Sequence, residues 1–199
     1  MCPMTNPPDL RAVKLDETHH VLVGRVPAEL EPDPPAFERL WLLHPPDYHE
    51  IKMHGRLVKT PRWQQAYGAD YRYTGRVNRA LPVTAEMEPY LRWCREIDPR
   101  LDGLLFNWYD ATEEHYIGAH RDSTSGMIEG APIVTISLGA TRTFRFRRWK
   151  GEDKVDLVAS SGSVIVIPYA TNLAWTHEVP HFKRDRGRRI SITLRAFDS

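Results

Sequence analysis

Thr143-Phe144-Arg145-Phe146-Arg147 alternates polar and apolar residues with a period of two, the pattern of a β-strand that buries one face. Six more short runs of strand character share this half of the chain: Leu104 to Tyr109, Ile133 to Leu138, Val155 to Val158, Val164 to Ile167, Leu173 to His177 and Arg189 to Phe197. Short strands separated by turns at regular spacing predict a sandwich, barrel or jelly roll. Upstream the pattern is different. Seven of the sixteen prolines fall within the first 35 residues, which predicts an extended surface arm over residues 1–36 with one strand near Val21 to Val26. Asp33-Pro34 reads as the cap and first position of a helix that carries Phe37, Leu40 and Trp41 and stops before Pro45-Pro46. Thr84 predicts the cap of a second helix whose apolar face holds Met87, Tyr90, Leu91, Cys94 and Ile97. The expected class is therefore α+β, mainly β, in one globular domain. Its parts are the arm (1–36), a helical segment (37–102) and a β core (103–199).

With 199 residues, 41% hydrophobic and 27% charged, the chain has the balance of an ordinary globular domain. Apolar runs such as Val164 to Pro168 fall far below the ~18 residues of a membrane-spanning helix. The N-terminus lacks the basic and apolar regions of a signal peptide. Two cysteines, Cys2 and Cys94, cannot build a disulfide framework or a thiolate zinc site. An intracellular location, cytoplasmic or nuclear, is the expectation. Net charge is only +1, yet residues 141–195 hold twelve Lys/Arg against five Asp/Glu. That asymmetry suits a polyanion or an anionic cosubstrate.

Chemistry concentrates in His120-Arg121-Asp122, His177, Arg189 and Arg195. Two histidines and one carboxylate can occupy one face of iron(II), leaving three positions for an oxoacid and dioxygen. A His-x-Asp pair points both side chains to one side of an extended segment, and Arg189 and Arg195, six apart, share one face of a strand.

Five stretches then match a known family in order: Pro61-Arg62-Trp63-Gln64-Gln65-Ala66-Tyr67-Gly68, Asn107-Trp108-Tyr109, His115 to Asp122, Ala131 to Gly139, and Arg189-Ile190-Ser191-Ile192-Thr193-Leu194-Arg195. The sequence resembles the AlkB family of iron(II)- and 2-oxoglutarate-dependent dioxygenases, and the animal DNA-repair homologues more closely than the bacterial founder. The likeness runs from about Ile51 to Phe197. It implies a double-stranded β-helix (jelly roll) with His120, Asp122 and His177 as iron ligands. Asn107, Tyr109, Arg189 and Ser191 would hold 2-oxoglutarate, with O2 as the oxidant, and Arg195 would lie near the substrate. Residues before the core would form a nucleotide-recognition lid in which Arg62, Tyr71 and Tyr73 contact nucleic acid and enclose a flipped base. Read from the residues alone, tyrosines in a strand are more often core.

Departures bear on the substrate. Ser123-Thr124 stands where the animal repair enzymes carry acids, so Thr124 would offer the base a neutral hydroxyl. Met53-His54 replaces a more apolar finger, and Ser191 replaces the usual asparagine. The implied activity is oxidative dealkylation of N-alkylated bases in single- or double-stranded DNA or RNA, releasing aldehyde, succinate and CO2. The alternatives are a hydroxylase or demethylase of a small molecule or protein, and a non-catalytic nucleic-acid-binding jelly roll. No membrane partner is expected, and a monomer is favoured.

Overall fold

Alternation of the kind seen in Thr143 to Arg147 organises most of the chain. The structure, a computed structural model, describes residues 9–53, 55–73 and 76–198. In chain order the strands are β1 (Arg11–Lys14), β2 (His20–Arg25), β3 (Glu50–Met53), β4 (Arg56–Lys59), β5 (Trp63–Tyr67), β6 (Tyr71–Tyr73), β7 (Arg76–Asn78) and β8 (Gly103–Asp110). They continue as β9 (Ile117–His120), β10 (Ile133–Gly139), β11 (Arg142–Arg148), β12 (Lys154–Ala159), β13 (Ser163–Ile167), β14 (Trp175–Val179) and β15 (Arg188–Arg195). Helices α1 (Pro34–Trp41), α2 (Glu88–Ile97) and α3 (Tyr169–Ala174) lie between them.

A seven-stranded sheet runs β1-β2-β13-β10-β15-β8-β5, and a four-stranded sheet runs β12-β11-β14-β9. Neighbours in both are antiparallel, as the jelly roll requires. Hairpins β3–β4 and β6–β7 stand outside these sheets. Side chains at even positions of β8 and β15 (Leu104, Phe106, Trp108, Ile190, Ile192, Leu194) enter one core with Leu40, Trp41, Tyr90, Leu91 and Cys94 of the helices. This explains why β8 is buried on both faces and why Cys94 is core. The Trp108 indole N–H donates to the Leu40 carbonyl at 2.9 Å, fixing the end of α1 on the sheet. A second core, formed by Phe144, Phe146, Ile133, Ile165 and Ile167, joins the two sheets.

Local signals explain the helix ends. The Asp33 carboxylate accepts the Ala36 N–H at 2.8 Å, so α1 begins where its cap predicts. Helix α2 starts later than Thr84 suggests: the Thr84 carbonyl accepts the Met87 and Glu88 amides, and the helix has no side-chain cap. Gly139 closes the β10–β11 turn at φ +82°, where an added Cβ would lie 2.6 Å from the Arg188 carbonyl.

Two expectations need correction. Leu173 and Ala174 end α3, and the strand starts only at Trp175, because Asn172 is turned inward to bond the backbone of Asp122. The strand expected near Val21 to Val26 is β2, but it and β1 join the large sheet, with Val23 opposite Ile165, instead of lying in a surface arm. The prolines of the N-terminal segment bracket residues 9–26 and leave that stretch free to pair. Among the described residues no helix is long and apolar enough to cross a membrane.

His115 ties the β3–β4 region to the core. Its Nδ1 accepts the Asp110 N–H at 3.0 Å, so the neutral ring carries its proton on Nε2 and donates to the Tyr48 hydroxyl at 2.9 Å. Its ring meets Trp63 edge-on at 4.7 Å. Burial, helped by Arg62 and His44, pushes its pKa down to about 4 against an opposing pull from Asp110. The folded value lies below the unfolded 6.5, so this stabilisation is complete above pH 6.5 and is lost as pH falls through about 4. Urea unfolding followed between those limits should show stability falling with pH, with a shallower fall in His115→Gln.

Candidate active site

Strand register assembles the first part of the site. His120, ending β9, lies directly opposite His177 on β14, and their ring centroids are 4.4 Å apart. Asp122 follows two residues later, with its main chain clamped by Asn172. The Asp122 N–H donates to Asn172 Oδ1 and Asn172 Nδ2 donates to the Asp122 carbonyl, each at 3.0 Å. One ligating atom from each of His120, Asp122 and His177 falls within 4.8 Å of the others.

Protonation favours a cation there. His120 Nδ1 lies 2.9 Å from the Gly118 carbonyl and donates to it, which leaves Nε2 as a lone pair. The Nε2 atoms of His120 and His177 lie 3.4 and 3.8 Å from Asp122 Oδ1. Burial and the neighbouring His120 push the His177 pKa down to about 3, so this ring is neutral. Burial opposes the charge on Asp122, but Arg195, His120 and His177 together hold its carboxyl well below the usual range. Arg195 Nη2 sits 2.5 Å from Asp122 Oδ1. Phe144, from the alternating stretch on β11, stacks on His177 at 5.6 Å.

The second part is an arginine without an anion. Arg189 is completely buried; its Nε donates to Ser137 Oγ at 2.8 Å, and the Tyr109 ring lies 5.0 Å from its guanidinium carbon. Its two terminal nitrogens have no hydrogen-bond partner among the described residues. A buried cation with paired donors left open fits a carboxylate that accepts both. Tyr109, Asn107 and Ser191 line a cavity of about 380 Å³ that also reaches His120, Asp122 and His177. Odd positions of β15 (Arg189, Ser191, Thr193, Arg195) thus face inward, as their spacing predicts.

The lid residues are placed differently from expectation. Arg62 is buried, and its Nε donates to Asn107 Oδ1 at 2.8 Å and its Nη2 to Gln64 Oε1 at 3.0 Å. It therefore orients Asn107, turning the amide nitrogen into the available donor, and it also lines the cavity. Tyr71 is fully buried, bonded to the Gly103 and Thr193 carbonyls, and carries Arg195 over its ring at 4.6 Å. It supports Arg195 and cannot wall a base. The side chains of Tyr73 and Met53, and all of His54, lie outside the described residues. Thr124 closes a turn by accepting the Met127 amide, while Ser123 lines the cavity. Sequence reasoning missed Ser137, Gln64 and Asn172. For Ser137 the signal was present: it shares a face with Thr135 inside an otherwise apolar strand.

A profile of the 2OG-Fe(II) oxygenase superfamily matches residues 43–195. The chain belongs to that superfamily. It is similar to human DNA oxidative demethylase ALKBH2, at 27% identity over 94% of this chain and 75% of that protein, and to the mouse protein, at 29% over 73% and 66%. Rat alpha-ketoglutarate-dependent dioxygenase alkB homolog 3 is 28% identical over 47% of this chain and 35% of its own length. A solved structure of OsALKBH1 shares the fold, with a TM-score of 0.59 and 14% identity over 94% of this chain and 99% of that one. Within the superfamily the chain is an AlkB-type dioxygenase, and membership implies iron(II), 2-oxoglutarate and O2. The oxygenase's own residues fit that set: a neutral His, an ionised Asp and a second His converge, and Arg189 waits for an anion.

Removing Asp122 would leave Arg195 as a buried, unpaired cation. Asp122→Ala should lower metal-free stability by ~3–5 kcal/mol, and Asp122→Ala/Arg195→Met should regain most of it, as measured by urea unfolding.

Proposed function

We propose that this oxygenase removes alkyl groups from the nitrogens of nucleobases in nucleic acid. His120, Asp122 and His177 hold iron(II), and Arg189 holds the far carboxylate of 2-oxoglutarate. The observation that carries the reading is the shared cavity. The His/Asp/His cluster lines it together with Asn107, Tyr109 and Ser191, and the Arg189 guanidinium, with its terminal nitrogens open, packs against the Tyr109 ring from outside that lining. The names of the relatives, DNA oxidative demethylases among them, support nucleic acid as the substrate, as does the positive excess over residues 141–195.

When bound, iron(II) and 2-oxoglutarate use O2 to hydroxylate the alkyl carbon, the cosubstrate leaving as succinate and CO2 and the alkyl group as an aldehyde. The chain does the rest by placement. Arg195 keeps Asp122 anionic while burial keeps His177 neutral, so neither ligand position is contested by a proton. Arg62 fixes Asn107 as a donor toward the cosubstrate, and Ser191 adds a hydroxyl on the same wall. Ile117, Phe144 and Val179 contribute an apolar lining that limits water at the reacting carbon.

Among the described residues Asp122 is the one carboxylate in the cavity lining, and it is already paired with Arg195. A cationic base therefore gains little over a neutral one.

Wild-type enzyme with methylated single-stranded oligonucleotides should release succinate and formaldehyde in equal amounts, and Arg189→Ala should raise the 2-oxoglutarate KM at least tenfold, the loss of one charge-assisted bond of ~1.5–3 kcal/mol. Turnover coupled only to small molecules or proteins would overturn the reading. In the same assay Ser123→Asp should raise the ratio of 3-methylcytosine to neutral-lesion turnover by up to about fivefold, the worth of a part-exposed charge pair of ~1 kcal/mol.

A further inference from the structure

A guanidinium stacked on an exposed indole marks the rim of the cavity. Arg121, between two of the clustered residues, lines that cavity, and its guanidinium carbon lies 4.3 Å from the centroid of the Trp149 ring. Arg121 Nη1 donates to the Leu173 carbonyl at 2.8 Å, and the Trp149 main-chain N–H donates to the Ala174 carbonyl at 2.9 Å. Both are therefore held by the same end of α3. Trp149 is nevertheless 47% exposed, a large apolar area left in water at the tip of the β11–β12 connection. Arg148 and Lys150 flank it, both exposed, with Arg148 paired to Asp16 at 3.1 Å.

We propose that Arg121 and Trp149 form a stacking platform for the nucleobase next in the strand to the one that enters the cavity. The proposal rests on the nucleobase reading above and extends it from one base to two. Three features favour this occupant. The surface is planar and cationic together, which suits the π-face of a base, since bases stack on aromatic rings and on arginine planes alike. It is continuous with the cavity through Arg121, so a substrate that ends inside the cavity would not reach Trp149. The flanking Lys150 matches a phosphodiester beside a stacked base, whereas an apolar partner would have to desolvate it.

The platform makes activity depend on strand length in a way that does not depend on the identity of the neighbouring base. KM for the nucleic-acid substrate should be measured for wild type, Trp149→Ala and Trp149→Phe on three substrates. These are a methylated pentanucleotide, the same strand with abasic sites flanking the lesion, and the methylated nucleoside monophosphate. The 2-oxoglutarate KM serves as a control for folding of the site. Trp149→Ala should raise KM about tenfold on the intact pentanucleotide, from the loss of one stacked base. Trp149→Phe should restore most of the difference. Neither variant should change KM on the abasic-flanked strand or the mononucleotide. An unchanged KM on the intact strand, or an equal rise on all three substrates, overturns the platform while wild-type turnover leaves the nucleobase reading standing. Wild-type failure on every nucleotide substrate overturns that reading and the platform with it.

Discussion

The alternation of side chains along β8, β10 and β15 is the constraint on which everything else rests. Each strand sends one set of residues outward to the helices and the other inward to the cavity. Trp108 goes to α1 and Tyr109 to the cavity wall; Ile190 goes to the core and Ser191 to the cavity. A slip of one residue in any of these pairings would exchange the two sets, placing Arg189 among leucines and Trp108 in the cavity. The outer apolar face is therefore also what aims the polar residues. Stability and site geometry share one register.

Two buried arginines on the same face of β15 show how the interior sorts internal from external partners. Arg195 is paired within the chain, with Asp122 on one side and the Tyr71 ring on another, though its Nε has no partner among the described residues. Arg189 is as deeply buried, but only its Nε is bonded. Burying a guanidinium with two idle nitrogens is costly, and a fold tolerates it where a ligand completes the set. Arg195 thus has an ion-pair partner inside the fold, whereas the terminal nitrogens of Arg189 have none among the described residues.

Much of this was legible in the sequence, and the exceptions share a cause. Period two in Thr143 to Arg147, the Asp33 cap and the even spacing from Arg189 to Arg195 depend on near neighbours, and the structure follows them. Tyr71 went astray because its partner Thr193 is 122 residues away, and the bond from Arg62 to Asn107, 45 residues off, was equally hidden, since no local pattern announces such bonds. Leu173 has the composition of a strand residue, yet a contact of its neighbour Asn172 with a loop 50 residues distant keeps it helical. Proline density misled about residues 9–26 because the count ignored where the prolines lie.

β9 is an edge strand, joined to β14 through only the His120–His177 and Val179–Ile117 pairs with an irregularity between them. Its last residue and the loop that follows carry two of the three clustered side chains. Such a margin can open locally at a fraction of the cost of unfolding the central strands. Loss of the cluster and loss of the fold are then separate events. The protein can pass through a folded state with an opened site, whose lifetime is set by fraying at one sheet border and by Asn172 and Arg195, which hold the main chain and the carboxylate of Asp122.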